Sequence, residues 1–316
     1  MSDLTDLSIN GVPIFGGGAV GPIFGNVYFV DGTNGSDDNC GTDSNQAYKT
    51  IQKAITKQIE KSSGLGDVIY ILPGNYTEAL TGNLTNVSLI GCNMGHPWHA
   101  VMVYPGTGSA YTGDMSGAML KNITFMSGAT ANKTLPAIHL GNMRYSIIED
   151  CNISGQDATC ITGLQIGPET DVVTAANFDY SIVRRNHIGT WAGVASEFAY
   201  GIKMGYAGGT TGDGHHICVG TRIEYNTIYA LTTGIHLNCN QDTLYHTAIR
   251  GNVIDSAATA NGCATAGISI DNGGSVMIVG NYINATDALL NASATRTLGN
   301  WVTNAGAGAT ELPATT

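Results

Sequence analysis

One short phrase recurs through the chain. It reads SIIEDCNISG at 146–155, SIVRRNHIGT at 181–190, TRIEYNTIYA at 221–230, TAIRGNVIDS at 247–256 and VMIVGNYINA at 276–285. Each copy is a β-branched run, a small gap, an asparagine, one residue and another apolar residue. Aligned on asparagine, the series is Asn93, Asn122, Asn152, Asn186, Asn226, Asn252, Asn281 and Asn300, with spacings of 29, 30, 34, 40, 26, 29 and 19. A second phrase falls between the first: AIHLGN at 137–142, GLQIG at 163–167, GIKMG at 201–205, GIHLN at 234–238, GISID at 267–271 and ALLNA at 288–292. Each period therefore holds at least two short strands in fixed order, joined by loops of variable length.

Periods of this length built from strands signal a solenoid or a propeller. A propeller blade needs four strands and regular hairpin turns, and these periods are too short for that. The pattern predicts an all-β protein, a single-stranded right-handed parallel β-helix of about eight turns over 84–303. In that geometry equivalent positions stack about 4.8 Å apart. An asparagine at a bend then bonds the backbone and the asparagines above and below it, and it tolerates left-handed backbone. The eight asparagines are expected to form a structural ladder. Cys92, Cys151 and Cys239 each precede an asparagine, which predicts thiols stacked at one corner. Composition agrees: charged residues are 12% and glycine is 43 of 316, which suits many short strands joined by tight turns.

The ends differ from the repeats. Residues 1–25 carry six glycines between 11 and 25 and two copies of Pro-Ile-Phe. They cannot build a core alone. They read as an extended arm whose anchors, Ile14, Phe15, Ile23 and Phe24, dock on a partner. Residues 26–83 read as a cap, with a strand at 27–30, a helix at 47–61 and a buried strand at 67–72. Ile51, Ala54, Ile55, Gln58 and Ile59 fall at helical spacing. Residues 304–316 read as a tail.

The stretch VDGTNGSDDNCGTDSNQAYKTIQKAI, followed by GDVIYILPGNYTE, resembles the N-terminal cap and first rung of pectin-lyase-like right-handed β-helix proteins. The matching features are Asp31-Gly32, the Gly35-Ser36-Asp37 loop, Tyr48 to Gln52 opening the helix, and Pro73-Gly74-Asn75-Tyr76. That superfamily includes polysaccharide lyases, glycosidases and bacteriophage virion proteins. The arm and the cysteine usage are similar to those of phage structural proteins. The resemblance implies a virion structural protein, a head decoration or spike, made in the host cytoplasm. It would form a homotrimer and anchor to capsid or other structural proteins through its arm. The alternative it implies is a carbohydrate-active β-helix, a glycan-binding protein or depolymerase acting on a host surface glycan.

Charge and cysteine content restrict the partners. The formal net charge is −11 with 13 Lys and Arg. Nucleic acid is not expected, since no Lys/Arg cluster is visible. Anionic membranes and acidic polysaccharides are less natural partners too, although a local site can differ from the average. No apolar run is long enough to span a bilayer, and the first residues do not read as a secretory signal. Seven cysteines lack any CxxC or paired Cys/His spacing, so they read as reduced, buried thiols rather than a zinc site.

For chemistry, no acidic stripe is visible on the rungs, and Arg184-Arg185 have no evident acid above or below. A lyase built on calcium and an arginine is therefore poorly supported, and no catalytic group is assigned on that reading. The best alternative lies in the long insertion at 189–219. There Glu197 and Asp213 are the candidate acids, and Trp191, Tyr200 and Tyr206 are the candidate glycan contacts. Loop packing is the plainer reading of the same residues. His215-His216 would face opposite sides of a strand. The HPWH cluster at 96–99 lacks a third ligand. No cofactor is expected, with Ca²⁺ as the one candidate: Asp31, Asp37, Asp38 and Asp43 share one loop, but they precede a helix that needs capping anyway.

Overall fold

The computed structural model describes residues 8–9, 12–13, 25–61, 66–92, 100–128, 135–155, 161–168, 176–189, 198–205, 217–238, 244–256, 262–271, 275–290, 295–304 and 308–311. β-Branched runs of three to five residues leave turn residues between them, so each rung folds into short strands that pair with the same strands of the next rung. The result is the expected right-handed parallel β-helix.

Sheet 1 has ten strands in sequence order, from Val27–Val30 to Thr295–Leu298. Sheet 2 starts at Gly74–Tyr76 and ends at Trp301–Asn304, and sheet 3 includes Tyr111–Ser116, Ile138–Arg144, Thr162–Ile166, Phe198–Met204 and Cys263–Asp271. The long strands Thr227–Asn238 and Tyr282–Leu290 bend from sheet 2 into sheet 3 and join the two.

The registers stack the core. On sheet 1, Leu89, Leu120, Ile148, Val183, Ile223, Ile249 and Ile278 lie over one another, all fully buried. On sheet 2, Val103, Phe125, Ile153, Ile188, Ile228, Ile254, Ile283 and Val302 do the same. Each such side chain contributes about 1.5–3 kcal/mol of apolar burial before chain entropy is counted.

The asparagine ladder is shorter than the spacing suggested. Asn186, Asn226, Asn252, Asn281 and Asn300 form it at the corner between sheets 1 and 2. From Asn226 on, the Oδ1 of each accepts from the backbone N and the Nδ2 of the asparagine one rung earlier, at 2.9–3.0 Å. Nδ2 also donates to a carbonyl of the preceding rung, for example Asn226 to Val183. Asn152 is a correction. Its register partner is His187, and the residue level with Asn186 is Cys151, whose amide donates to Asn186 Oδ1 and heads the ladder. Asn122 is a second correction. It sits one residue before the ladder position, at φ 56°, in the left-handed slot that Asp150, Arg185 and Tyr225 also occupy. Gly251, Gly280 and Gly299 fill that slot on later rungs, where a left-handed φ carries no steric cost for glycine. Asn93 lies outside the described residues. The expected thiol stack does not form between Cys92 and Cys151: they occupy equivalent corner positions two rungs apart, counted on from the paired strands, with Ile123 between them, and Cys239 is outside the described residues.

The helix runs Ile51–Lys61 and covers the end of the barrel with Ile51, Ala54 and Ile55. It starts later than position 47 because Ala47 is extended and Tyr48 pairs with Val30. Thr50 Oγ1 accepts from Lys53 N, and the Glu78 carboxylate accepts from Ile51 N and Gln52 N, satisfying amides that a first turn leaves open. Ile59 is 43% exposed, at the edge of the packed face beside Gly82. At the other end, Gly308–Glu311, in the stretch read as a tail, pairs antiparallel with Trp301–Asn304 and covers the last strand edge. In the arm, Ser8–Ile9 pairs with Val12–Pro13, and Ile14, Phe15, Ile23 and Phe24 lie outside the described residues.

Candidate functional site

The second phrase of the repeat builds a polar row on the outer face of sheet 3. In GLQIG, GIKMG, GIHLN and GISID the apolar residues on either side of the third letter turn into the core, so that letter projects outward. Register sets His139, Gln165, Lys203, His236 and Ser269 side by side on successive rungs. Glycine precedes the apolar pair in four rungs because the chain bends there against a core isoleucine. A Cβ on Gly201 would come within 2.3 Å of Ile228 Cγ2, and one on Gly234 within 2.2 Å of Ile254 Cγ2.

Four of these side chains converge with a neighbour. The Tyr200 ring lies 5.8 Å from the His236 ring, near-parallel at 26°. Lys203 Nζ sits 4.9 Å from the Tyr200 ring centroid. His236 Nε2 is 2.7 Å from Asp271 Oδ2, one strand over. Gln165 Nε2 donates to the Gly205 carbonyl, and His139 Nε2 lies 3.0 Å from the Gly167 carbonyl. Lys203 and His236 are each only 6% exposed although they project from the outer face of the sheet. Burial first, then the Asp271 charge, raises the Tyr200 phenol above its ordinary value, which keeps it a hydrogen-bond donor.

The imidazole–carboxylate pair fixes the ring. Asp271 can only accept, so the ring presents Nε2–H to it, which leaves Nδ1 as the ring nitrogen turned to other partners. Nδ1 is buried and has no hydrogen-bond partner among the described residues. The arrangement thus offers an aromatic ring, a cation and an unpartnered ring nitrogen within one small area.

Of the insertion residues named from the sequence, Tyr200 belongs to this cluster. Trp191, Glu197, Tyr206 and Asp213 lie outside the described residues, as do His215, His216 and the HPWH cluster. Lys203 and His236 were missed, although the signal was present: the third letter of each second phrase is variable and mostly polar between two apolar residues.

The acidic loop works as caps. Asp31 accepts from Thr33 N, Asn34 N and Asn34 Nδ2. Asp37 accepts from Lys49 N, Thr50 N and Thr50 Oγ1, and Asp43 from Asn45 N. The amide of Asn34 leads the effects that lower the Asp31 carboxyl. No group of three or more His, Cys, Asp or Glu among the described residues, Asp38 included, could hold a metal ion.

The reading of Arg184-Arg185 as lacking acids is corrected. Register places Lys121, Glu149, Arg184, Glu224 and Arg250 in one outward row of sheet 1. Glu149 lies 2.7 Å from Lys121 Nζ and 2.6 Å from Arg184 Nη2, and Arg185 forks onto Asp150. Burial would push the Glu149 carboxyl up, but bonds from Lys121 and Arg184 hold it below its ordinary value. Intervening loops of unequal length hid this alternation in the linear sequence.

No family model matches the chain, and no curated protein sequence matches it. Solved structures do. Escherichia coli YbhC aligns with a TM-score of 0.55 at 12% identity, over 93% of this chain and 81% of that one. Carrot pectin methylesterase aligns with 0.52 at 14%, over 90% and 84%. A family 136 glycoside hydrolase, the lacto-N-biosidase of Eubacterium ramulus, aligns with 0.51 at 14%, over 88% of this chain and 55% of that one. The chain has the pectin-lyase-like right-handed parallel β-helix fold that these structures share.

Proposed function

We propose that the protein binds a glycan on the outer face of sheet 3, at the Tyr200, Lys203, His236 and Asp271 cluster. One observation carries the reading: His236 Nδ1 is a buried ring nitrogen with no hydrogen-bond partner among the described residues, and it lies beside an aromatic ring and a cation. A buried polar atom left unmet costs about 1–3 kcal/mol, so a ligand hydroxyl, which can donate or accept, gains affinity by pairing with it. Sugars combine such hydroxyls with apolar C–H faces suited to a tyrosine ring. Pectin methylesterase and lacto-N-biosidase among the structural neighbours favour the carbohydrate reading over the virion reading, for which nothing comparable speaks.

The test is binding of a panel of neutral and acidic oligosaccharides by isothermal titration calorimetry. At least one should bind the native protein, and His236→Ala should weaken it at least about tenfold, or ~1.4 kcal/mol. If no member of the panel binds, or His236→Ala binds as tightly, the assignment fails.

A further inference from the structure

All six arginines of the chain gather on one side of the solenoid. Arg184, Arg222 and Arg250 lie on strands of sheet 1, Arg296 lies on its last strand, Arg185 follows one of them, and Arg144 precedes the corner that leads into it. From Met119–Lys121 to Thr247–Arg250 the outer face carries five cations, Lys121, Arg184, Arg185, Arg222 and Arg250. Against them stand three carboxylates, Glu149, Asp150 and Glu224. The excess is positive in a protein whose net charge is −11.

The charges are layered. Glu149 and Glu224 are 3% exposed, beneath the cations. Arg184 and Arg250 hold them through Nε and Nη2, and Arg185 holds Asp150 the same way. The Arg184, Arg185 and Arg250 side chains remain 31%, 45% and 40% exposed, with the Arg250 guanidinium 5.8 Å from the Tyr225 ring centroid. Arg222 is exposed and has no carboxylate within ion-pair distance among the described residues. The side turned to solvent is therefore a set of partly exposed guanidinium groups above buried carboxylates. Arginine, rather than lysine, suits planar oxyanions because its fork is rigid.

We propose that the outer face of sheet 1 is a second binding surface, distinct from the sheet 3 site, and that it takes a linear anionic glycan running along the solenoid axis. The cations of the main row, Lys121, Arg184 and Arg250, recur at every second rung, about 10 Å apart at the strand spacing. A polymer bearing one carboxylate or sulfate per β-linked disaccharide matches that sparse repeat. Nucleic acid does not, since each strand carries a phosphate about every 3.4 Å and this face has few cations in excess. Exposed Tyr145 and Tyr180 on one border and Tyr225 on the other add hydroxyl and ring edges that sugars can meet.

The experiment is affinity electrophoresis of the full chain through gels holding hyaluronan, dextran sulfate, neutral dextran or duplex DNA. Hyaluronan or dextran sulfate should retard the protein, neutral dextran should not, and salt at about 0.5 M should abolish the effect. Arg222→Gln should weaken retention about fivefold with an unchanged melting temperature, while Tyr200→Ala leaves it as it was and so separates this surface from the sheet 3 site. The proposal is overturned if neither polyanionic glycan retards the protein, if Arg222→Gln is retarded as strongly as the native chain, if Tyr200→Ala weakens retention as much as Arg222→Gln, or if DNA is held in preference.

Discussion

His236 Nε2 and Asp271 Oδ2 stand 2.7 Å apart across two neighbouring strands, separated by 35 residues of sequence. The contact is diagonal: His236 pairs in register with Ser269, and Asp271 lies two residues on, on the same face. The carboxylate therefore selects which imidazole nitrogen carries hydrogen without lying under the ring.

Asp271→Asn tests that role. The amide can donate as well as accept, so the ring tautomer is no longer held. Glycan affinity at the sheet 3 site is expected to drop about fivefold, ~1 kcal/mol, with a melting temperature close to native. Calorimetry on the variant shows it directly, and unchanged affinity would remove Asp271 from the site.

The ladder gives a graded stability series. Asn226→Ala strands the backbone N and Nδ2 of Asn186 and the carbonyl of Val183, all in the interior. A loss of about 3 kcal/mol in chemical denaturation is expected. Asn152→Ala should cost less than about 1 kcal/mol, since Asn152 is outside the ladder and its Oδ1 has no partner among the described residues. Equal costs for the two would refute the five-member ladder.

Glu149 links charge to stability. Its folded carboxyl is held below the ordinary glutamate value by Lys121 and Arg184 against the opposing push of burial. The stabilisation is complete above that ordinary value and is lost as pH falls through the lower folded one. Glu149→Gln should cost about 2 kcal/mol at neutral pH, less than a fully buried pair because the cations reach solvent. The native and variant denaturation midpoints should approach each other in acid.

His187 acts in a different window. Burial pushes its imidazole down to about 4, and its ring packs 5.4 Å from that of Tyr229. The folded chain keeps it neutral while the unfolded chain protonates it near its ordinary value, so stability falls as pH drops from about 6.5 toward 4. The loss should reach up to about 3 kcal/mol. His187→Phe keeps a ring against Tyr229 and removes the titration. Its melting temperature should be flatter over that range than the native one, and parallel curves would contradict the assignment.

The repeat itself determined the architecture. Alternating β-branched phrases at periods of 19 to 40 residues can bury their apolar faces only by stacking, so the solenoid, its capping helix and the corner asparagines from Asn186 to Asn300 were legible in the sequence. Register was not. A loop of any length leaves the stack and returns without changing the rise per rung, so linear spacing cannot say whether Asn152 or Cys151 lies level with Asn186, or that Glu149 lies above Arg184. A one-residue error turns a side chain to the other face, which is why Asn122 and Asn152 were misplaced. The same pairing created the features that bear on function. His236 meets Asp271, and Glu149 meets Lys121 and Arg184, because three-dimensional register brings neighbouring rungs within about 5 Å of one another, whereas Lys203 reaches Tyr200 along its own strand.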